Sequence, residues 1–223
     1  RLEAMYKSTS DGIVFTDLEG NVKEANDAAL RMHGYEDPNE ILGRSALIFI
    51  SPSEHAQALE GMARTMEEGK SGTLEYTFLR RDGTAFPGEL SATLLKDSGG
   101  KARGLVAITK DITERKESLE KIRKAMEGAV QALAATVEMR DPYTAGHQRR
   151  VADLARAMAG EMGLDEDRVV SVHLAASIHD IGKIYVPAEI LSKPGRLNKS
   201  EFEIIQTHPQ VGFDILKTVE FPW

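Results

Sequence analysis

The spacing of apolar residues changes character partway along the chain. Residues 13–16 and 22–25 are short β-rich runs on either side of the polar stretch Asp17-Leu18-Glu19-Gly20-Asn21 and predict a hairpin. Before them, residues 1–11 predict a short helix with Leu2, Met5 and Tyr6 on one side. After them, Asn26 or Asp27 caps a helix over 28–32, and Gly34 ends it. Ser51 caps a longer helix over 52–68. Three more strands are expected over 73–79, 85–95 and 102–110, with Arg81-Asp82-Gly83-Thr84 and Asp97-Ser98-Gly99-Gly100 as the turns between them. Two strands, then helices, then three strands predict a five-stranded antiparallel sheet with helices packed on one face.

From residue 112 the apolar period becomes helical. Residues 112–140 contain no proline, and Leu119, Ile122, Met126, Ala129, Leu133 and Thr136 step by three and four, as a heptad seam does. Glu117 with Lys121, and Glu120 with Lys124, add i,i+4 pairs in the favourable order. Gly128 weakens this helix by about 1 kcal/mol relative to alanine. The narrow stripe predicts a parallel two-stranded coiled coil. Beyond 141 everything reads as helix. His147, Val151, Leu154 and Met158 share one face, with Ala155, Ala159 and Met162 beside it, and Gly163 is the stop. Asp165 caps a helix running to about Asp180. Lys193-Pro194-Gly195 is a type II turn. Ser200 precedes a helix over 201–208 with Phe202, Ile205 and His208 along one side, and Pro209 starts another. The fold class is therefore an α+β domain joined by a long helix to an all-α domain.

Composition narrows the function. The chain has 223 residues, 41% of them hydrophobic, and a net charge of −7 with acids and bases interspersed. That balance argues against a nucleic acid polymer as partner and against a polybasic membrane patch. There is no cysteine, so disulfides, thiolate-held metals and thiol nucleophiles are excluded, and a cytoplasmic location fits. No apolar run approaches the ~18 residues of a membrane span. The chain starts at Arg1, so it reads as cut from a longer protein, and an anchor or further sensor upstream is compatible with it.

Candidate chemistry centres on His179-Asp180-Ile181-Gly182-Lys183. On one helix turn, adjacent His and Asp side chains stand about 100° apart. They can hold one hard-to-borderline metal, and the carboxylate keeps a second oxygen to bridge to another. Gly182 leaves room for a ligand near the backbone. Lys183 places a mobile cation where a phosphate would sit. His147 lies 32 residues upstream of His179 and His208 lies 29 downstream, both on predicted helices. Three histidines and an aspartate from three helices make either a metal site or a coincidence of core and surface histidines. His173 has no motif around it.

Two resemblances sharpen these expectations. Arg140-Asp141-Pro142-Tyr143-Thr144-Ala145-Gly146-His147, Arg150-Val151, the His179–Lys183 motif, Leu191-Ser192-Lys193-Pro194-Gly195, Glu201 to His208 and Gly212 closely resemble, in order, the first half of an HD-GYP domain. Ser10-Asp11-Gly12-Ile13, Asp17, Gly20, Asn26-Asp27-Ala28-Ala29, Gly34-Tyr35, Arg81-Asp82-Gly83-Thr84 and Asp111-Ile112-Thr113-Glu114-Arg115 resemble a PAS sensor domain. The expected organisation is a PAS domain over 1–115, a coiled-coil signalling helix over 116–140, and the N-terminal part of an HD-GYP domain over 141–223.

The HD-GYP resemblance implies a bacterial signalling hydrolase acting on cyclic di-GMP at a site of two divalent ions, iron or manganese. It implies that His147, His179 and Asp180 hold one ion, that Asp180 bridges, that His208 begins the second shell, and that Lys183 contacts a substrate phosphate. Tyr143 stands where some relatives carry a metal-binding Glu, which favours two metals over three. The family's His-His pair, Gly-Tyr-Pro loop and final Asp are not reached before Trp223. Four ligands cannot fill two shells, so this stretch alone is expected to bind the second ion poorly, to lack useful activity and to leave apolar helix faces uncovered. The PAS resemblance implies a ligand pocket between sheet and helices and a homodimer through PAS and coiled coil. The ligand itself is unknown; His33 and His55 are the histidines in that half that a haem could use. Two other readings stand beside the enzyme: a non-enzymatic signalling and dimerisation module, and an HD hydrolase of another nucleotide, such as a mixed cyclic dinucleotide.

Overall fold

A computed structural model describes residues 6–141 and 146–219, which divide into two units, Arg1–Leu119 and Glu120–Trp223. Most of the expected helix over 1–11 lies outside the described residues; 6–8 are helical.

The first unit holds β1 (Gly12–Thr16), β2 (Val22–Ala25), α1 (Asp27–His33), α2 (His55–Glu68), β3 (Leu74–Leu79), β4 (Ala85–Lys96) and β5 (Ala102–Asp111). The strands form one antiparallel sheet in the order β2-β1-β5-β4-β3, which puts the last strand at the centre. Of the two possible caps on α1, Asn26 is used. Its Oδ1 accepts from Ala29 N at 2.8 Å and from Ile13 N at 2.9 Å, so one buried side chain fastens the helix to β1. Gly34 closes α1 with φ 73°. The α2 segment opens as a 3-10 turn over Pro52–Glu54, and Ser51 makes no side-chain cap. The core gathers Val14, Ile41, Phe49, Tyr76, Phe78 and Phe86.

A long helix, α3 (Thr113–Glu138), follows β5 after the single buried residue Ile112. Asp111 Oδ1 accepts from Thr113 N at 2.8 Å and so satisfies one of the N–H groups that a helix start leaves unpaired. Along α3, Glu120 is gripped by Arg123 (2.8 Å) and Lys124 (3.5 Å).

In the second unit, the end of α3 is followed by α4 (His147–Glu161), α5 (Glu166–Ser177), a 3-10 turn over Ile181–Tyr185, α6 (Ala188–Leu191), α7 (Lys199–Gln206) and α8 (His208–Leu216). Ala134 and Val137 of α3 pack with Ile178 and Ile181, with Val130 and Leu216 against them. Asp165 Oδ1 caps α5 through Arg168 N at 2.9 Å, as its position implies.

Three boundaries differ from expectation. First, α5 stops at Ser177, so His179 and Asp180 lie in the turn after it rather than on a helix. Second, α7 starts at Lys199. Its cap is Asn198, in a reciprocal capping box with Glu201 (2.8 Å each way), and Ser200 lies inside the helix. Third, His208 begins α8 instead of ending the helix before it. The buried face of α4 is also rotated by one residue from the expected one. Gln148, Ala152 and Ala159 are inside, while Leu154, Met158 and Met162 are exposed. Phe202 and Phe213 are exposed as well.

Candidate metal centre

Asp180 is the hub. It is 5% exposed, and its two oxygens face different partners. Oδ2 lies 3.5 Å from His179 Nε2 and 2.7 Å from Lys183 Nζ. Oδ1 lies 3.4 Å from His208 Nε2. Leaving the helix at Ser177 is what makes this possible, because a regular helix would splay His179 and Asp180 onto different faces.

The histidines are set in matching ways. His179 Nδ1 is 2.8 Å from the Ala176 carbonyl, and His208 Nδ1 is 2.7 Å from the Ile205 carbonyl. A carbonyl only accepts, so each Nδ1 donates there, and this turns each Nε2 towards Asp180. His147, at the start of α4, brings its ring to 5.8 Å from that of His179. One ligand atom each from His147, His179 and Asp180 fall within 4.8 Å of one another, a donor set of two nitrogens and an oxygen that fits a divalent transition ion. His208 approaches from the other oxygen of Asp180 and stands outside that cluster.

Lys183 is mostly buried between Asp180 and Asp141, at 2.7 and 3.3 Å. Burial works against its charge, but the hydrogen bonds and charges of Asp180 and Asp141 outweigh it and hold its pKa above the ordinary lysine value. Lys183 and Asp141 open onto a cavity of about 380 Å³ that Lys193, Gly195, Leu197 and Ile205 also line. Lys193 is held by both oxygens of Glu201, at 2.6 and 2.7 Å. Gly195 has φ 104°, the left-handed value its turn requires.

Gly182 does not make room for a ligand. A Cβ there would stand 2.6 Å from Gly212 N and 2.9 Å from the carbonyl carbon of His208. Its missing side chain lets the start of α8 sit on the 3-10 turn, and that contact brings His208 to Asp180.

The sequence therefore pointed to His147, His179, Asp180, Lys183 and His208, and the fold brings these five together. It gave no role to Glu138, Arg140, Asp141 or Gln148, which surround them. Arg140 and Asp141 stand in the quoted motif; Glu138 carried no signal beyond its place two residues before it. Tyr143 lies outside the described residues. His173 is not in the cluster, and its Nδ1 is buried with no hydrogen-bond partner among the described residues.

In the first unit, a cavity of about 110 Å³ lies within the core, lined by Val14, Thr16, His33, Phe49, Tyr76 and Leu105 among others. His33 is buried against Phe49 (4.3 Å between centroids), Phe78 and Phe86, with Nδ1 donating to the Leu79 carbonyl at 2.8 Å. His55 Nε2 lies 2.9 Å from the Ile50 carbonyl. Among the described residues no helix is long and apolar enough to cross a membrane.

Several curated proteins are similar to part of this chain. A cyclic di-GMP phosphodiesterase of Thermotoga maritima is 46% identical over 85 residues, 38% of this chain and 23% of that protein. A cyclic di-GMP phosphodiesterase response regulator of Xanthomonas campestris pv. campestris is 32% identical over 99 residues, 44% of this chain and 26% of that protein. A 3'3'-cGAMP-specific phosphodiesterase of Vibrio cholerae is 41% identical over 76 residues, 34% of this chain and 18% of that protein. The chain thus spans about a quarter or less of the length of these curated relatives. Family models described as PAS domain and HD domain match residues 10–114 and 131–222. Five antiparallel strands with helices, leading into a helical unit whose turn carries the His-Asp pair, agree with both: this chain is a PAS domain followed by an HD domain.

Proposed function

We propose that this chain is the sensor and the first part of the catalytic domain of an HD-GYP-type phosphodiesterase that hydrolyses cyclic di-GMP. The observation that carries the proposal is the sharing of Asp180, one oxygen towards His179 and the other towards His208, with Lys183 beside it. His147, His179 and Asp180 would hold a first divalent ion, iron or manganese, and Asp180 with His208 would begin the shell of a second. When bound, such ions supply Lewis acidity that activates water and offsets phosphate charge. The residues of the chain do the rest. The carbonyls of Ala176 and Ile205 fix the ring orientation of two ligands. Lys183, kept protonated by Asp180 and Asp141, offers its ammonium to a substrate phosphate from the wall of the 380 Å³ cavity.

The HD match and the similarity to cyclic dinucleotide phosphodiesterases support this over a purely structural module. The exposed row Leu119, Ile122, Met126 and Leu133 on α3 supports pairing with a second copy in a coiled coil. The PAS cavity is smaller than the ~300–1,000 Å³ of ordinary ligand pockets and suits a small, mostly apolar signal molecule.

The test is metal analysis with cyclic di-GMP and 3'3'-cGAMP hydrolysis on the intact protein, wild type against Asp180→Ala. About two ions per chain, with cyclic di-GMP turnover that the substitution abolishes, is the expected result. Full metal content with turnover of 3'3'-cGAMP alone would move the substrate to the mixed dinucleotide. Neither metal nor turnover would leave the signalling-module reading.

A further inference from the structure

The helix α3 is tied down at both ends. At its start, Asp111 binds Thr113 N and is itself held by Arg80 at 3.3 Å. At its end, Glu138, Arg140 and Asp141 each grip a different part of the metal centre. The Glu138 carboxylate accepts from Gly146 N at 3.3 Å and Gln148 N at 3.0 Å, the residues on either side of His147. Arg140 donates to the carbonyls of Ile184 and Val186, just after Lys183. Asp141 is 6% exposed and accepts from Lys183 Nζ at 3.3 Å. With its amide turned to satisfy its surroundings, buried Gln148 donates to Ala134 O of α3 (3.3 Å) and to Ser177 O (3.1 Å), two residues before His179.

These contacts have a geometric consequence. His147 is the first residue of α4, where the backbone N–H groups have no partner inside the helix. Fixing the N–H groups before and after it fixes the direction in which its side chain leaves the backbone. A carboxylate is also the group that a helix N-terminus favours electrostatically. The ammonium of Lys183 would otherwise collapse wholly onto Asp180, and Asp141 gives it a second anion on the cavity side.

We propose that Glu138 and Asp141 are positioning residues: Glu138 aligns the ligand His147 and Asp141 aligns Lys183, so that the end of α3 sets both at once. The inference rests on the metal-site reading above.

The test is a Mn²⁺ titration of the metal-free intact protein, followed by calorimetry or by electron paramagnetic resonance. Wild type is compared with Glu138→Ala, Glu138→Gln and Asp141→Asn, with thermal unfolding of each metal-free form alongside. Glu138→Ala is expected to weaken Mn²⁺ binding about 10–100-fold, the usual effect of losing a group that orients a ligand. Glu138→Gln recovers most of it, because an amide oxygen still accepts one of the two N–H groups. Asp141→Asn keeps Mn²⁺ affinity within about threefold of wild type but lowers kcat/KM on the cyclic dinucleotide about tenfold or more through loss of phosphate positioning. A purely structural Glu138 would lower the melting temperature without a Mn²⁺ defect, and that outcome overturns the proposal, as does equal affinity in all four proteins. Wild-type protein that takes up no Mn²⁺ overturns the metal-site reading together with this one.

Discussion

Replacing Gly182 with alanine tests the site at its tightest point. The added Cβ would lie 2.6 Å from Gly212 N and 2.9 Å from the carbonyl carbon of His208, with the His208 carbonyl oxygen nearer still. Ordinary contact begins at 3.4 Å, so clearing Gly212 N alone takes about 0.8 Å, and the nearer His208 carbonyl oxygen forces α8 back further. All three clashing atoms are backbone, and no side-chain rotation relieves them. Overpacking of this kind costs about 1–3 kcal/mol of stability. The effect on chemistry should be larger than the effect on folding, because ligand distances tolerate only about 0.2 Å. His208 moves with α8, whereas Asp180 belongs to the turn.

Gly182→Ala is therefore expected to keep the first ion, lose the second, and reduce cyclic di-GMP hydrolysis by about 100-fold, the scale set by a misplacement near 1 Å. Metal stoichiometry on the intact protein, with thermal unfolding alongside, measures each part. Gly128→Ala is the control. A Cβ at Gly128 meets nothing within 4 Å, so the substitution should stabilise α3 by about 0.4–1 kcal/mol and leave the metals alone. Gly182→Ala protein with two ions and wild-type turnover would refute the claim that backbone approach at Gly182 places His208.

Two further outcomes concern His33 of the sensor half and the exposed stripe of α3. Burial pulls the pKa of His33 below its ordinary 6.5 even though the Leu79 carbonyl and Asp111 favour its charged form. The unfolded chain then binds a proton below pH 6.5 that the folded chain refuses. Stability from this group is whole above that pH and falls as pH drops, by at most about 1.4 kcal/mol per unit. His33→Phe should flatten that part of the wild-type slope in denaturant unfolding between pH 7 and pH 5, although it costs overall stability by orphaning the Leu79 carbonyl; an unchanged slope would assign the pH dependence elsewhere. For α3, Ile122→Glu with Met126→Lys should turn a dimer into a monomer in sedimentation, because both side chains stand on the exposed stripe; a wild type that is already monomeric at micromolar concentrations would remove the coiled coil.

The sheet was legible because its residues obey local rules. Strand runs separated by Gly- and Asp-rich turns can alternate in few ways, and Asn26 and Gly34 cap α1 with chemistry that does not depend on distant parts of the chain. The helical half was harder to read. On α4 the large apolar side chains His147, Val151, Leu154 and Met158 suggested the inner face, but the chain buries Gln148, Ala152 and Ala159, one residue round. Small residues let α4 and α5 approach closely, and a reading that weighs side chains by hydrophobicity undervalues them. On α3 the same thing happens: Val130, Ala134 and Val137 face Ile178, Ile181 and Leu216, while the larger stripe stays outside.

The metal centre divides along the same line. The candidate ligands could be singled out because their residue types are few and their motif is specific. The groups that aim them could not be, because orientation depends on where the backbone breaks. His179 Nε2 stands beside Asp180 Oδ2 because α5 ends at Ser177, before the pair. His208 reaches Asp180 because Gly182, with no Cβ, lets two backbones meet. Glu138 matters because a helix end and a helix start, eight residues apart in sequence, lie within one hydrogen bond of each other. Each is a statement about backbone geometry. The same residue types on an unbroken helix would stand about 100° apart, without the turn that places Asp180 between His179 and His208.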